Sequence, residues 1–295
     1  MSRMRFIAAE KASYPIALLC RLAGVSRAGY YAWWRREPSP RAQADTRLTE
    51  EIRAIHVASR HTYGAPRVQA ALCAGGTRVS RKRVARLMRA ARLRGCGPRR
   101  RMRTTVSDPQ ATPAPNLVQR QFDVGALDRV WVTDITYLAT NEGWLYLAAL
   151  LDGCSRRVIG WAMADHLRTA LAVEALQMAL RVRRPTGSDL VHHSDRGGQY
   201  TADAYQAVLV AHNIRCSMSR TGNCLDNALA ERCNATLKRE LQPANGWPTK
   251  AAARAAVFAW IVVYDKRQRL HSSRGYRTPF DFEASKEPAH ALAVA

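Results

Sequence analysis

Long apolar runs are missing from this chain. The longest candidate, residues 255–264, falls far short of the roughly eighteen apolar residues that span a bilayer. Residues 1–11 alternate charged and apolar side chains and lack the apolar block of a signal peptide. Paired cysteines are missing too. The seven cysteines (Cys20, Cys73, Cys96, Cys154, Cys216, Cys224 and Cys233) are odd in number, scattered, and form no CxxC pair. They support neither a structural zinc site nor a thioredoxin-type motif, and His56 and His61 have no cysteine pair following at ligand spacing. The thiols read as reduced, mostly structural groups of a cytosolic protein. No internal repeat is visible. Acid is scarce: 23 Asp plus Glu face 46 Lys plus Arg, a formal net charge of +23.

What is present narrows the class. A length of 295 residues suits two or three domains better than one. An apolar share of 47% excludes wholesale disorder. The charge is unevenly placed, with 24 basic and 5 acidic residues in 1–105 against 22 and 18 in 106–295. Such asymmetry points to a polyanionic partner. With no span for a membrane, nucleic acid leads.

The first third reads as helical and basic. Residues 16–23 carry apolar side chains at helical spacing, Gly24-Val25-Ser26 interrupts them, and Ser26 can cap a second helix over 27–35. That outline fits a helix-turn-helix or an ordinary helical hairpin equally well. The proline-marked stretch 37–41 reads as a linker. A second helical block runs over 45–93, broken at Tyr63-Gly64. Within it Leu48, Ile52 and Ile55 share one face, as do Val68 and Leu72. Ser80 is placed to cap a helix over 81–91, with Val84, Leu87 and Met88 as its buried stripe and Arg83, Arg86 and Arg89 opposite. Residues 78–103 hold twelve basic residues and no acidic one, a density that favours phosphate binding over a merely solvated face. The Pro-, Thr- and Ala-rich stretch 104–116 reads as an interdomain linker.

Beyond residue 125 the pattern changes. Residues 130–139, 144–152 and 157–163 are β-branched or aromatic-rich runs separated by turn residues, predicting three antiparallel strands. Helix over 170–182, strand over 190–193, helix over 202–212, strand over 214–218 and a long helix over 226–241 follow. The expected class is α/β with a mixed sheet.

Three acids in this half stand out. Asp134 sits mid-strand, where Asp is depleted. Asp195 follows a strand at its carboxyl end, where α/β sites lie. Glu231 lies on the first turns of the last long helix. Each alone is unremarkable, as a solvated edge residue or a dipole partner. Together they offer the hard oxygen ligands that Mg²⁺ or Mn²⁺ requires, and two such ions serve phosphoryl transfer. Asn227, Glu231, Asn234 and Lys238 share one helix face, which places a cation beside the acids for a phosphate. Asp226 reads as the cap of that helix rather than a fourth ligand. His193 and Ser194 are as consistent with core packing as with positioning, and Gly197-Gly198 allow close backbone approach.

These residues resemble a family. Asp134 in WVTDITYL, Asp195 in HHSDRGGQY and Glu231 in SRTGNCLDNALAERCNATLKREL resemble the three motifs of the DDE transposases, and 35 residues intervene between Asp195 and Glu231. EGWLYLAALLDGCSRRVIGW and YDKRQRLHSSRGYRTPFDFE look like the downstream-frame (OrfB-type) protein of the insertion-sequence-three family, with similarity over about residues 45–283. The block YGAPRVQAAL…VSRKRVARLMRAARLRG resembles the helix-turn-helix segment preceding the catalytic core in that group. Departures are Arg232-Cys233-Asn234 after the Glu, Asp265 after Tyr264, and Arg274 before Gly-Tyr.

The resemblance implies an RNase H-like five-stranded mixed sheet with flanking helices, preceded by all-α helix-turn-helix DNA-binding segments. It implies a transposase whose Asp134, Asp195 and Glu231 are both catalytic residues and ligands of Mg²⁺ or Mn²⁺, two ions in number. DNA contacts are expected at Arg81, Lys82, Arg83, Arg86, Arg89 and Lys238. The expected segments are 1–40 (helix-turn-helix-like), 45–103 (basic, DNA-binding), 104–125 (linker), 126–285 (catalytic core with C-terminal helices) and 286–295 (tail). Expected partners are double-stranded DNA, as terminal inverted repeats and target, a further copy of the chain, and an upstream-frame helix-turn-helix protein as fusion or partner. No membrane is involved, and the implied location is the bacterial cytoplasm at the nucleoid. The competing readings are a catalytically inactive DNA-binding relic or transposition repressor, and an RNase H-fold nuclease of other substrates.

Overall fold

The computed structural model describes residues 2–97, 114–122, 124–185, 189–220 and 224–286, without the side chains of 224 and 225. Contacts group the chain into two compact units, Met1–Ala54 and Ile55–Ala295. Residues 104–113 of the expected linker, the basic residues 99–103, the motif residues 221–223 and most of the 286–295 tail lie outside the described residues.

The first unit contains α1 (Arg3–Glu10), α2 (Ile16–Leu22) and α3 (Arg27–Trp34). Ser26 caps α3 as its position predicts, its hydroxyl accepting from Gly29 N–H at 3.0 Å. Gly24 makes the preceding turn at φ +63°, a conformation that costs glycine least. Ile7, Leu19, Cys20 and Tyr30 form the small core. Helix α1 has no counterpart in the sequence reading, because its interior contribution is one residue, Ile7, too few to show a period. The linker expected at 37–41 is shorter than read: α4 (Pro40–Ala58) begins on Pro40, whose missing N–H is no loss in a first helical turn.

In the second unit α5 (Ala65–Ala74) follows the break at Tyr63-Gly64, and α6 (Arg81–Ala90) is capped by Ser80, which accepts from Arg83 N–H at 3.3 Å. Val84, Leu87 and Met88 are its buried stripe. Backbone groups of residues 268–270 are gripped from this side. The Tyr63 hydroxyl donates to Gln268 C=O (3.2 Å) and accepts from Leu270 N–H (2.7 Å), and Arg67 Nε donates to Leu270 C=O (2.9 Å).

The sheet has the order β3-β2-β1-β4-β5. β1 (Val130–Thr140), β2 (Gly143–Asp152) and β3 (Val158–Ala164) are an antiparallel meander. After α7 (Thr169–Arg183), β4 (Val191–Ser194) joins β1 in parallel. Following α8 (Gly198–Thr201) and α9 (Asp203–Ala211), β5 (Arg215–Met218) joins β4 in parallel. Then come α10 (Ala228–Leu241), α11 (Lys250–Ala259) and α12 (Pro279–Ala284). One face of the sheet packs on α7 and α9 through Trp131, Leu150, Leu176 and Leu209, the other on α10 and α11 through Leu138, Leu147, Leu237 and Val257. This is the mixed five-stranded α/β sheet with flanking helices that the pattern predicts. Gly160 lets α7 lie directly on β3, since a Cβ there would stand 2.3 Å from Ala175 O.

His192 sits fully buried on β4 with Nε2 2.8 Å from the Tyr205 hydroxyl. Burial drives its pKa from 6.5 down to about 3, with the neighbouring His193 adding to the effect. The folded protein therefore refuses a proton that the unfolded chain accepts below pH 6.5. The stability this neutral ring supplies is present above that pH and is lost as pH falls toward 3. We expect a contribution lost by pH 4.5 of roughly 3 kcal/mol. Urea melts of wild type and His192→Gln between pH 4.5 and 7.5 check this: the difference between the two proteins should shrink as pH falls. A constant difference would reject it.

Candidate active site

The strand register brings two of the three acids together. β4 runs parallel to β1 with Val132 opposite His193, so Asp134 and Asp195 stand two residues beyond the same pair on neighbouring strands. Chain geometry makes them neighbours at the carboxyl end of the parallel pair. Helix α10 then lies over β1, and two of its asparagines fix it there. Asn227 Nδ2 donates to Thr133 C=O at 3.0 Å, and Asn234 Nδ2 donates to Asp134 Oδ2 at 3.0 Å. Glu231 shares the helix face with both. The sequence places Asn234 on that face; its bond to Asp134 needs the tertiary structure.

Local donors orient the carboxylates. Asp134 Oδ1 accepts from Ile135 N–H (2.9 Å), and Asp195 Oδ1 accepts from Gly197 N–H (3.0 Å). Gly197 allows the second, because a Cβ there would press to 3.1 Å against that same Oδ1. Burial, then the charge of Asp195 and, less, that of Glu231 push the Asp134 carboxyl up to about 7. Burial also raises Asp195. Lys238 is partly buried; burial lowers its pKa while Asp134 pulls it back up. The acids and this lysine thus share one electrostatic environment. Among the described residues no three His, Cys, Asp or Glu side chains close into a metal-binding set.

Other expectations need correction. Asp226 does not cap α10. It lies in a short 3₁₀ turn before the helix, and the N-cap position belongs to Asn227 with no side-chain cap bond. The Asp226 carboxylate is fully buried and receives Arg220 Nε (2.9 Å), Arg120 Nε (3.1 Å) and Asn116 Nδ2 (2.9 Å), and the two arginines, Arg220 above all, hold its pKa far below the usual range. His193 is likewise engaged in packing: its ring nitrogens lie 2.8 and 3.2 Å from the hydroxyls of Ser217 and Ser219. Ser194 donates to Asp195 C=O at 2.8 Å, beside the site rather than in it.

Further back, the Arg269 guanidinium is buried and turned inward. It donates to both Glu240 oxygens at 3.0–3.1 Å and lies 3.6 Å from Asp265. His271 Nε2 adds a 3.2 Å approach to Asp265. A π-helical turn, Trp260–Asp265, continues α11 and brings both Tyr264 and Asp265 inward. Sequence spacing does not reveal this cluster. On α6, Arg81, Lys82, Arg86 and Arg89 are exposed and Arg83 partly so, a cationic face around the apolar stripe.

The chain matches the integrase core domain family at residues 126–224 and, in a second part, at 212–279, and an HTH-like domain at 43–103. It is 41% identical over 277 residues to the insertion element IS600 uncharacterized 31 kDa protein of Shigella sonnei, covering 94% of this chain and 100% of that one. It is 38% identical over 281 residues to transposase InsF for insertion sequence IS3A of Escherichia coli, covering 94% and 97%. Among solved structures, a simian T-cell lymphotropic virus intasome in complex with a PP2A regulatory subunit aligns over 75% of this chain and 72% of that one, at TM-score 0.46 and 18% identity. The HTLV-2 integrase catalytic core domain in complex with magnesium aligns over 54% and 97%, at TM-score 0.39 and 15% identity. No helix among the described residues is long and apolar enough to cross a membrane. With this identity along nearly its whole length and an integrase core matched over residues 126–224 and 212–279, the chain belongs to the IS3 family of insertion-sequence transposases.

Proposed function

We propose that this protein is a DNA transposase that cuts at insertion-sequence ends and joins them to new DNA by transesterification, with Asp134, Asp195 and Glu231 as its catalytic carboxylates. One observation carries the assignment: the β1–β4 register and the Asn234 bond set two acids side by side under the helix that bears the third. The oxygen-only donor set, and a carboxyl at Asp134 raised by burial and by its acidic neighbours, fit divalent Mg²⁺ or Mn²⁺. When bound, two such ions would activate the attacking oxygen and stabilise the leaving one.

The chain's own groups do the positioning. Asn234 orients Asp134 and Gly197 N–H orients Asp195. Lys238 offers a charge for a phosphate oxygen beside them. Water first attacks the scissile phosphorus and releases a 3′-hydroxyl. That hydroxyl then attacks a phosphodiester of the target, so one P–O bond is exchanged for another. In this reading 126–285 performs the chemistry, and 45–103 grips duplex DNA through Arg81, Lys82, Arg83, Arg86 and Arg89, with strong salt dependence. Pairing two ends calls for at least two copies of the chain. An upstream-frame protein would supply further end recognition.

Asp195→Asn and Glu231→Gln test the assignment in a Mg²⁺-dependent assay on DNA carrying the element's ends. Both should lose cleavage and strand transfer while binding the same DNA within about 2-fold. Unchanged strand transfer in either variant removes that acid from the site. Cleavage without joined product in the wild type would favour a nuclease.

A further inference from the structure

A pair of arginines beside the acids is left unused by the carboxylate chemistry. Arg120 and Arg220 come from distant stretches of chain and converge on one carboxylate. Arg220 donates to both oxygens of Asp226, from Nε at 2.9 Å and from Nη2 at 3.1 Å, and Arg120 Nε adds a bond of 3.1 Å. The Asp226 side chain is fully buried, whereas those of Arg220 and Arg120 are 59% and 46% exposed. One guanidinium balances one carboxylate, so the group keeps a net positive charge on its solvent side. Among the described residues nothing accepts from Arg220 Nη1 or from either Nη of Arg120. With Asn116 and Gln119 the two arginines line an open hollow of about 470 Å³.

The backbone is bent to bring Arg120 to this place. Asn116 Oδ1 accepts from Val118 N–H (3.2 Å) and Gln119 N–H (2.9 Å), while its Nδ2 donates to Asp226. Gln119 and Arg120 then adopt left-handed conformations, at φ +46° and +68°, which side chains with a Cβ disfavour. Asp226 does not require this, since Arg220 and Asn116 already donate to both of its oxygens.

Hydrogen bonds tie the cluster to both aspartates of the site. Ser219 N–H donates to Ser194 C=O (2.9 Å) and Arg196 Nε donates to Ser219 C=O (2.7 Å), so the residue before Arg220 is clasped by the two neighbours of Asp195. Because β5 runs parallel to β4, the Arg220 backbone lies one strand spacing, about 5 Å, and one residue from Asp195. Asp226 precedes Asn227, whose amide donates to the carbonyl of Thr133, next to Asp134. The sheet face is the same as well. Asp134 faces α10, where Asn234 meets it. His193, two residues before Asp195, meets Phe122, and Phe122 packs with Val118, Val132 and Ala230 of α10. The segment leading to Arg120 therefore covers the face toward which both acids point.

We propose that Arg120 and Arg220, oriented by Asp226, seat a backbone phosphate of the DNA strand close to the phosphodiester at Asp134 and Asp195. The inference rests on the reading of the protein as a DNA strand-transfer enzyme. Guanidinium forks suit this ligand, because their paired N–H groups meet two phosphate oxygens at once. The buried carboxylate keeps both forks from swinging, so their charge stands at a fixed distance from the acids. Asp226 is thus a positioning residue, and the seat helps to set which bond of the strand reaches the site.

The test uses the full chain without divalent metal, so that binding is read apart from chemistry. Phosphates on either side of the scissile one are replaced singly by uncharged methylphosphonates, in an element-end duplex and in a branched duplex already joined to target DNA. Fluorescence anisotropy of the wild type should find a position where the lost charge weakens binding about 10-fold. Arg120→Gln leaves Asp226 its bonds from Arg220 and Asn116, so it should melt like wild type. It should bind unmodified DNA about 10-fold more weakly, with a salt slope lower by about one phosphate, and be indifferent to the methylphosphonate at that position alone. Arg220→Lys, which keeps the charge without the fork, should fall between the two. Sensitivity in the end duplex assigns the phosphate to the element, and sensitivity only in the branched duplex assigns it to the target. A wild type with no sensitive position, or variants as sensitive as wild type at that position, would overturn the seat. So would variants that melt early yet bind every DNA normally, which would make the cluster a structural clasp. Strand transfer of pre-cut ends by the wild type with Mg²⁺ separates the two failures. Its absence refutes the strand-transfer reading, whereas its presence with no sensitive phosphate refutes the seat alone.

Discussion

Asp134→Asn is expected to abolish metal-dependent strand transfer and, in the same molecule, to raise the stability of the metal-free protein at pH 8. The loss should reach at least about 1,000-fold, equivalent to roughly 4 kcal/mol of barrier. The gain follows from the electrostatics of the apo site. Burial and the charges of Asp195 and Glu231 hold the Asp134 carboxyl at about 7 in the folded chain, against 3.8 when unfolded. Between those values the folded state keeps a proton that the unfolded state has released. The stability tied to this group is therefore full below about pH 4 and lost as pH rises through 7. Linkage sets a ceiling of about 4 kcal/mol on that loss at pH 8. Asp134 retains some contact with solvent, which screens the effect, so a gain of about 2 kcal/mol in the variant is the expected scale. Asn234 can turn its amide so that its oxygen accepts from the new side chain, which keeps one hydrogen bond between the two residues. Thermal melts at pH 5 and pH 8 with and without Mg²⁺ are the check. The advantage of the variant should be largest at pH 8, fall to less than half of that at pH 5, and be overtaken when Mg²⁺ stabilises the wild type. A variant no more stable than wild type at pH 8 would place Asp134 outside the cluster of like charges.

The same residues explain what could be read in advance. β1 was legible because β-branched and aromatic residues run continuously from Val130 to Thr140, and Asp134 was conspicuous because an acid interrupts that run. Ser26 and Ser80 announce their helices through a rule that operates within three residues. Asp226 obeys the same local rule on paper and breaks it in space. Arg120, more than a hundred positions upstream, and Arg220 take its carboxylate, so ion pairing outcompetes capping. Asn234 illustrates the intermediate case: helix geometry puts it on the face of Glu231, but only the packing of α10 on β1 shows which oxygen receives its N–H. The inward ion pair of Arg269 is the least legible feature, since local composition does not distinguish a buried arginine from a solvated one. Its partner Glu240 lies 29 residues away on α10, and the π-helical turn that brings Asp265 inward leaves no periodic signature.

That inward-facing arginine sets the second large expectation. Arg269→Met should destabilise the protein by about 3–5 kcal/mol, because it leaves Glu240 charged and buried without its main partner. The side chains of Arg269 and Glu240 are 6% and 2% exposed, so water cannot replace the lost donors. Among the described residues only the Trp260 indole N–H, 3.3 Å from Glu240 Oε2, remains on that carboxylate. Lysine is no substitute, since a single ammonium cannot reproduce the paired N–H contacts to both oxygens. Replacing both members, as Arg269→Met with Glu240→Gln, should recover at least about half of the loss by removing the stranded charge. The damage would extend to the site, because Glu240 lies on the last turn of the helix that presents Glu231. Chemical denaturation of the single and double variants measures the coupling. DNA binding by the folded fraction supplies the control: its salt dependence should not change in Arg269→Met, whereas Arg86→Glu on the exposed face of α6 should reduce the slope by about one phosphate contact or more. A flattened salt slope with undiminished stability in Arg269→Met would put this guanidinium on the DNA and leave Glu240 to another partner.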